Sequence, residues 1–83
     1  MQSSVTAWTD YPIVELGDEP NKEAPIRECE VLAYDRDKRC DVRVAGVVVC
    51  FKAGYIYSRP GRCGEAPTIH IKALHSLPYR SES

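Results

Sequence analysis

Aromatic side chains make up only 8% of this chain, the net charge is -1, and no apolar stretch approaches the roughly 20 residues of a membrane-spanning helix. The short apolar stretches argue against a helical membrane anchor in this sequence. The near-zero charge argues against coating nucleic acid through bulk positive charge, although a local basic patch stays open. Cysteines are few and scattered. Cys29, Cys40, Cys50 and Cys63 include no C-x2-C pair, the spacing by which one turn presents two thiolates to a tetrahedral zinc ion. The opening MQSSVTAWTD also lacks the basic segment and apolar run of a secretory leader. Together these features predict a cytoplasmic protein with free thiols, no metal and no cofactor.

What is present is an ordinary globular balance, 43% hydrophobic and 28% charged, which predicts a folded chain. Its 83 residues suffice for one domain with one small core. A deep substrate cavity would compete with that core for the same few apolar side chains, which argues against an enzyme. The charges are unevenly placed. Acids dominate as far as Asp41, whereas from Val42 onward only Glu65 and Glu82 oppose Arg43, Lys52, Arg59, Arg62, Lys72 and Arg80. That asymmetry becomes a polarised surface only if strands from the two halves do not interleave.

Residues 1–10 are expected to form a flexible N-terminal arm with Trp8 as an anchor, residues 11–80 the domain, and 81–83 a tail. Tyr11 to Leu16 reads as a short strand, with Pro12 restricting it to an edge or to its own start, and Gly17 to Pro25 reads as a loop. Period-two alternation then becomes clear: Cys29, Val31 and Ala33 on one face, followed by Cys40, Val42 and Val44. A turn at Arg36–Asp37 puts Ala33 opposite Cys40, Val31 opposite Val42 and Cys29 opposite Val44. A second turn at Ala45–Gly46 puts Val44, Val42 and Cys40 opposite Val47, Val49 and Phe51. Val48 and Cys50 then lie on the otherwise polar outer face.

Tyr55 to Ser58 and Thr68 to Lys72 read as further strands, separated by a turn-rich loop in which Gly61 of Pro60–Gly61 is expected at positive φ. KALHSLP, with Leu74 and Leu77, reads as one helical turn. The prediction is an all-β domain: a small, strongly bent antiparallel sheet or partly open SH3-like barrel of five to six short strands, with one short C-terminal helical turn. The SH3-like description is an architectural analogy, and such an analogy assigns no activity.

Few residues carry chemistry. His70 and His75 have the right pKa range for acid–base work, but no nucleophile or carboxylate stands at a diagnostic spacing from them. The acidic residues Asp18, Glu19, Glu23, Asp35 and Asp37 lack the ordered ligand pattern of an EF-hand. Cys63, beside Arg62, is the thiol with the most reactive setting. Tyr55, Tyr57, Arg59 and Arg62 form a binding cluster, since aromatic faces stack and arginine grips phosphate or carboxylate with a planar fork. Val48 and Lys52 extend the candidate surface onto a strand.

The function expected from these residues is a non-catalytic protein-interaction module, an adaptor or inhibitor of a larger protein, that binds through a strand edge and a basic loop. Nucleic-acid binding through the Arg, Lys and Tyr surface is the alternative, and an enzyme assembled by homo-oligomerisation is a third reading. None of the three involves a membrane.

Overall fold

A computed structural model describes residues 4–80. The expected tail at 81–83 lies outside the described residues, as do the first three positions of the expected arm. The protein is all-β, with an open antiparallel sheet of four strands in the order β1-β2-β3-β4: β1 (Val5–Thr9), β2 (Arg27–Tyr34), β3 (Arg39–Val44) and β4 (Val47–Lys52). Among the described residues the expected five to six strands reduce to four, and the barrel does not close. The only helical elements among the described residues are short 3-10 turns at Val14–Leu16, Ala53–Tyr55 and Ile71–Leu74. None of them is long and apolar enough to cross a membrane.

The alternating residues build the core as expected. Cys29, Val31 and Ala33 from β2 and Cys40, Val42 and Val44 from β3 are buried, and Ile56, Leu74, Leu77 and Ile69 cover that face from the chain that follows β4. The β3–β4 hairpin has the expected register, Val44 opposite Val47, Val42 opposite Val49 and Cys40 opposite Phe51. Ala45 (φ 50°) and Gly46 (φ 84°) are both left-handed, the signature of a type I′ turn. The β2–β3 register holds at Val31–Val42 and then shifts: Ala33 faces Asp41, and Tyr34 rather than Ala33 faces Cys40. Leu32 is the extra residue of a β-bulge. The bulge serves Tyr34, whose N–H donates to the Pro78 carbonyl (3.2 Å) and whose carbonyl accepts from Arg80 N–H (2.9 Å). Arg80 closes this contact through its guanidinium, at 2.8 Å from both Asp35 and Asp41.

Several expected elements take another form. The arm is a strand, since Val5–Thr9 pairs with β2 from Val5–Val31 to Thr9–Arg27 and buries Ala7 and Thr9. Tyr11–Leu16 is not a strand, because the Asp18 carboxylate captures the Ile13 N–H (2.8 Å) and the Ile13 carbonyl accepts from Leu16 N–H, winding the segment into a 3-10 turn. Tyr57 and Thr68 contribute single bridge residues in place of strands. Ile71 begins the 3-10 turn that continues to Leu74. Gly61 does not adopt positive φ; its need is space, since a Cβ there would come within 2.7 Å of the Ala66 Cβ.

Interleaving reduces the charge asymmetry of the sequence. Arg43 pairs with Glu30, Arg62 with Glu23, and Arg80 with Asp35 and Asp41. Within the acidic half, Arg27 grips Asp18 with both terminal guanidinium nitrogens, and this bond together with the Ile13 N–H lowers the Asp18 carboxyl from 3.8 to about 2.

Truncating Ile56 to Ala should destabilise the fold by about 3 kcal/mol, whereas Val48→Ala at the exposed face should change stability by less than about 0.5 kcal/mol; urea unfolding measures both. A carboxyl whose folded pKa is depressed stabilises the fold above its unfolded value and loses that contribution as pH falls through the folded one. Asp18→Asn should therefore flatten the stability curve between about pH 4 and 2 and lower stability at neutral pH, as acid titration of thermal unfolding would report.

Candidate functional site

The candidate site is the outer edge of β4 with the tyrosines beside its end. In a two-residue hairpin the turn's own hydrogen bond joins the closing pair, here Val44 and Val47, so the bonded pairs continue at Val42–Val49 and Cys40–Phe51. The Ala53 N–H donating to the Lys38 carbonyl (2.8 Å) carries the same phase one step further. The backbone groups of Val48, Cys50 and Lys52 consequently point away from β3. No hydrogen bond from another described residue meets them. The opposite edge is partly sealed, because Trp8 on β1 exchanges both backbone bonds with Tyr57 (3.0 and 2.7 Å).

The side chains along the open edge are apolar on both faces. Val48 is 56% exposed and Cys50 is exposed on the outer face, while Val47 and Val49 are half-buried on the inner one. The edge strand holds no proline, and its one charged residue is Lys52 at its end. Just beyond, Tyr11 lies over Phe51 (ring centroids 5.3 Å) and against Tyr55 (4.5 Å). The buried Thr9 hydroxyl sets this platform, donating to the Tyr55 carbonyl (2.7 Å) and accepting from Tyr11 N–H (3.1 Å). Tyr11 stacks on Phe51 and is tilted by 39° against Tyr55. Tyr11, Pro12, Val14, Glu15 and Pro20 line a cleft of about 250 Å³ next to the platform.

The six candidate residues do not form one surface. Val48 and Lys52 lie on the β4 edge and the exposed Tyr55 follows it closely. Tyr57 is buried: its hydroxyl donates to Asp10 (2.8 Å), and burial and that carboxylate push its pKa up. Arg62 is half-buried and engaged, donating to the Ala24 carbonyl (2.7 Å) and lying 3.7 Å from Glu23. Arg59 stays exposed in the loop that Asp10 holds through the Cys63 N–H (3.0 Å). Sequence reasoning missed Thr9, Asp10 and Tyr11, which it assigned to an arm and to a strand; the TDY triplet between two apolar segments was the available signal.

Among the described residues no group of His, Cys, Asp and Glu converges to hold a metal ion. The His70 Nδ1 accepts the Lys72 N–H (3.2 Å), capping the last 3-10 turn. Cys29 is pushed up to about 12, first by burial and then by Glu28, and Cys40 to about 11, by burial and Asp35. Compared with family models, curated proteins and solved structures, the chain matches none.

Titration of the native protein with a thiol-specific disulfide reagent near pH 8 should label Cys50 and Cys63 within minutes. Cys29 and Cys40 should react only after denaturant is added, and mass spectrometry of the labelled peptides assigns the sites.

Proposed function

We propose that this chain is a small, non-catalytic protein-interaction module, an adaptor or inhibitor of a larger protein, that pairs the outer edge of β4 with an extended strand of its partner. One observation carries the reading: Val47 to Phe51 is an apolar run on an edge with unmet backbone groups. Natural sheets blunt such edges with proline, bulges or inward charges, because an open edge is a template for another strand. An edge left open is suited to strand addition, in which main-chain hydrogen bonds give affinity and alternate side chains give specificity.

In this reading Val48 supplies apolar contact, Lys52 favours an acidic group at one end of the docked strand, and the Tyr11–Tyr55 platform extends the surface. The SH3-like analogy and the cytoplasmic location belong to the same proposal. The nucleic-acid reading is weaker because two of its residues are committed elsewhere: Tyr57 to the core, and Arg62 to Ala24 and Glu23. Arg59 is retained in the proposal as an exposed cation of the adjoining loop rather than as part of an arginine pair.

The test is retention from native lysate by the tagged chain, with and without nuclease, comparing wild type with Val48→Lys and Arg59→Glu. A protein held despite nuclease should be retained about tenfold less by Val48→Lys, a change of about 1.4 kcal/mol. Equal retention by Val48→Lys would reject the β4 edge as the contact surface, and material lost on nuclease treatment would favour nucleic acid.

A further inference from the structure

We infer that the β4 edge is selective for an acidic extended segment, one that sets a carboxylate beside Lys52 and Arg39 and neutral side chains along the rest of the strand. The inference rests on the edge being the contact surface and names the chemistry of its occupant.

Three cross-strand rows of the outer face reach this edge, and their charges differ. In the first, Arg43 lies opposite Val48 and is held by Glu30 at 2.7 Å. In the second, Asp41 lies opposite Cys50 and is held by Arg80 at 2.8 Å. In the third, Arg39 lies directly opposite Lys52, both are exposed, and no carboxylate of a described residue comes within ion-pair distance of either. Asp35, in the turn before Arg39, is occupied by the Arg80 guanidinium and by the N–H groups of Asp37 and Arg39. Like charges directly opposed across a ladder are destabilising, so the row that ends at Lys52 lacks an anion that the other two rows have.

A strand added at β4 extends each row by one position. Its residue beside Lys52 sits one strand spacing away, about 4.8 Å, and two spacings from Arg39. An aspartate or glutamate there balances two facing cations, whereas a lysine or arginine adds a third like charge to the row. The other positions call for neutral side chains. Beside Val48 and Cys50 the charges of the neighbouring strand are already paired, and on the inner face apolar groups would cover the half-buried Val47 and Val49. The chain's own β4 does not meet this requirement, because it has no acidic residue and would leave Lys52 without a counter-ion. A phosphate backbone would answer Arg39 and Lys52 but leave Val48 and the outward backbone groups of β4 unmet.

The test is amide NMR of the full chain, isotopically labelled and kept reduced, titrated to about 1 mM with the end-capped peptides SEVTVIS and SIVTVES. The two have one composition in reversed order, so in whichever direction the strand adds, one sets its glutamate beside Lys52 and the other beside Val48. One peptide should bind about fivefold more tightly than the other, with shifts at Val48, Cys50 and Lys52, and replacing its glutamate by lysine should weaken it by about fivefold. The preference should shrink in about 0.5 M salt and invert in Lys52→Glu.

Val48→Pro removes an N–H that points away from β3, so it should abolish binding of both peptides. If that variant loses its native spectrum, N-methylation of alternate peptide amides removes the matching donors and should do the same. A preference for glutamate that is unchanged in Lys52→Glu and in Arg39→Glu overturns the inference. Peptides that bind through the edge equally well with glutamate or lysine also overturn it and leave the edge reading standing alone. No binding by either peptide overturns the inference and removes the main support for the edge. An oligothymidylate that shifts Arg39 and Lys52 at lower concentration than either peptide overturns it in favour of nucleic acid.

Discussion

The type I′ turn at Ala45–Gly46 is the constraint on which the rest of the molecule depends. Two residues with positive φ close the β3–β4 hairpin at Val44–Val47, and that closure determines the phase of every later backbone bond. From this phase it follows that Val42 and Cys40 share the core with Phe51, while Val48 and Cys50 present both side chain and backbone outward. A slip of one residue would move the whole apolar set to solvent, so core burial and edge exposure are two consequences of one turn. The Lys38–Ala53 bond carries the same phase into the turn that delivers Tyr55.

Long-range polar contacts do the remaining assembly. Arg80 draws the end of the chain against β2 and β3 through Asp35 and Asp41, and the bulge at Leu32 lets Tyr34 pair with the segment that Arg80 anchors. Asp10 joins the end of β1 to the Tyr57 hydroxyl and the Cys63 N–H, and Arg62 reaches the Ala24 carbonyl. These bonds convert arginines that look available in the sequence into parts of the scaffold. Because one carboxylate or carbonyl often satisfies several donors, loops that lack regular structure are still held in place. Among the described residues the exposed large apolar side chains are few: Val48 on the β4 edge, Tyr11 and Tyr55 beside it, and Val14, Ile26 and Tyr79 elsewhere.

Much of the sheet and part of the candidate site were legible in the sequence. Period-two alternation identifies β2, β3 and β4, and it places Val48 on the outer face because a strand has only two faces to offer. The same rule fails at Ile56–Tyr57, where both consecutive side chains are buried, because Tyr57 is a lone bridge residue between Trp8 and Thr68 and belongs to no continuous strand. Arg62 was misleading for a similar reason, since its acceptor lies 38 residues away on another loop. Tyr11 gains its place only through the Thr9 hydroxyl and the Phe51 ring, which local sequence does not bring near it.

The sequence by itself determined the all-β class, the inward face of three strands and the turn that joins two of them, because alternation and positive-φ turns are local properties of the chain. Only the tertiary structure decided that residues 5–9 form a strand, that the sheet stays open at β4, and which cations remain unpaired. Those outcomes depend on partners far away in sequence, and local periodicity carries no record of which distant carbonyl or carboxylate a side chain will meet.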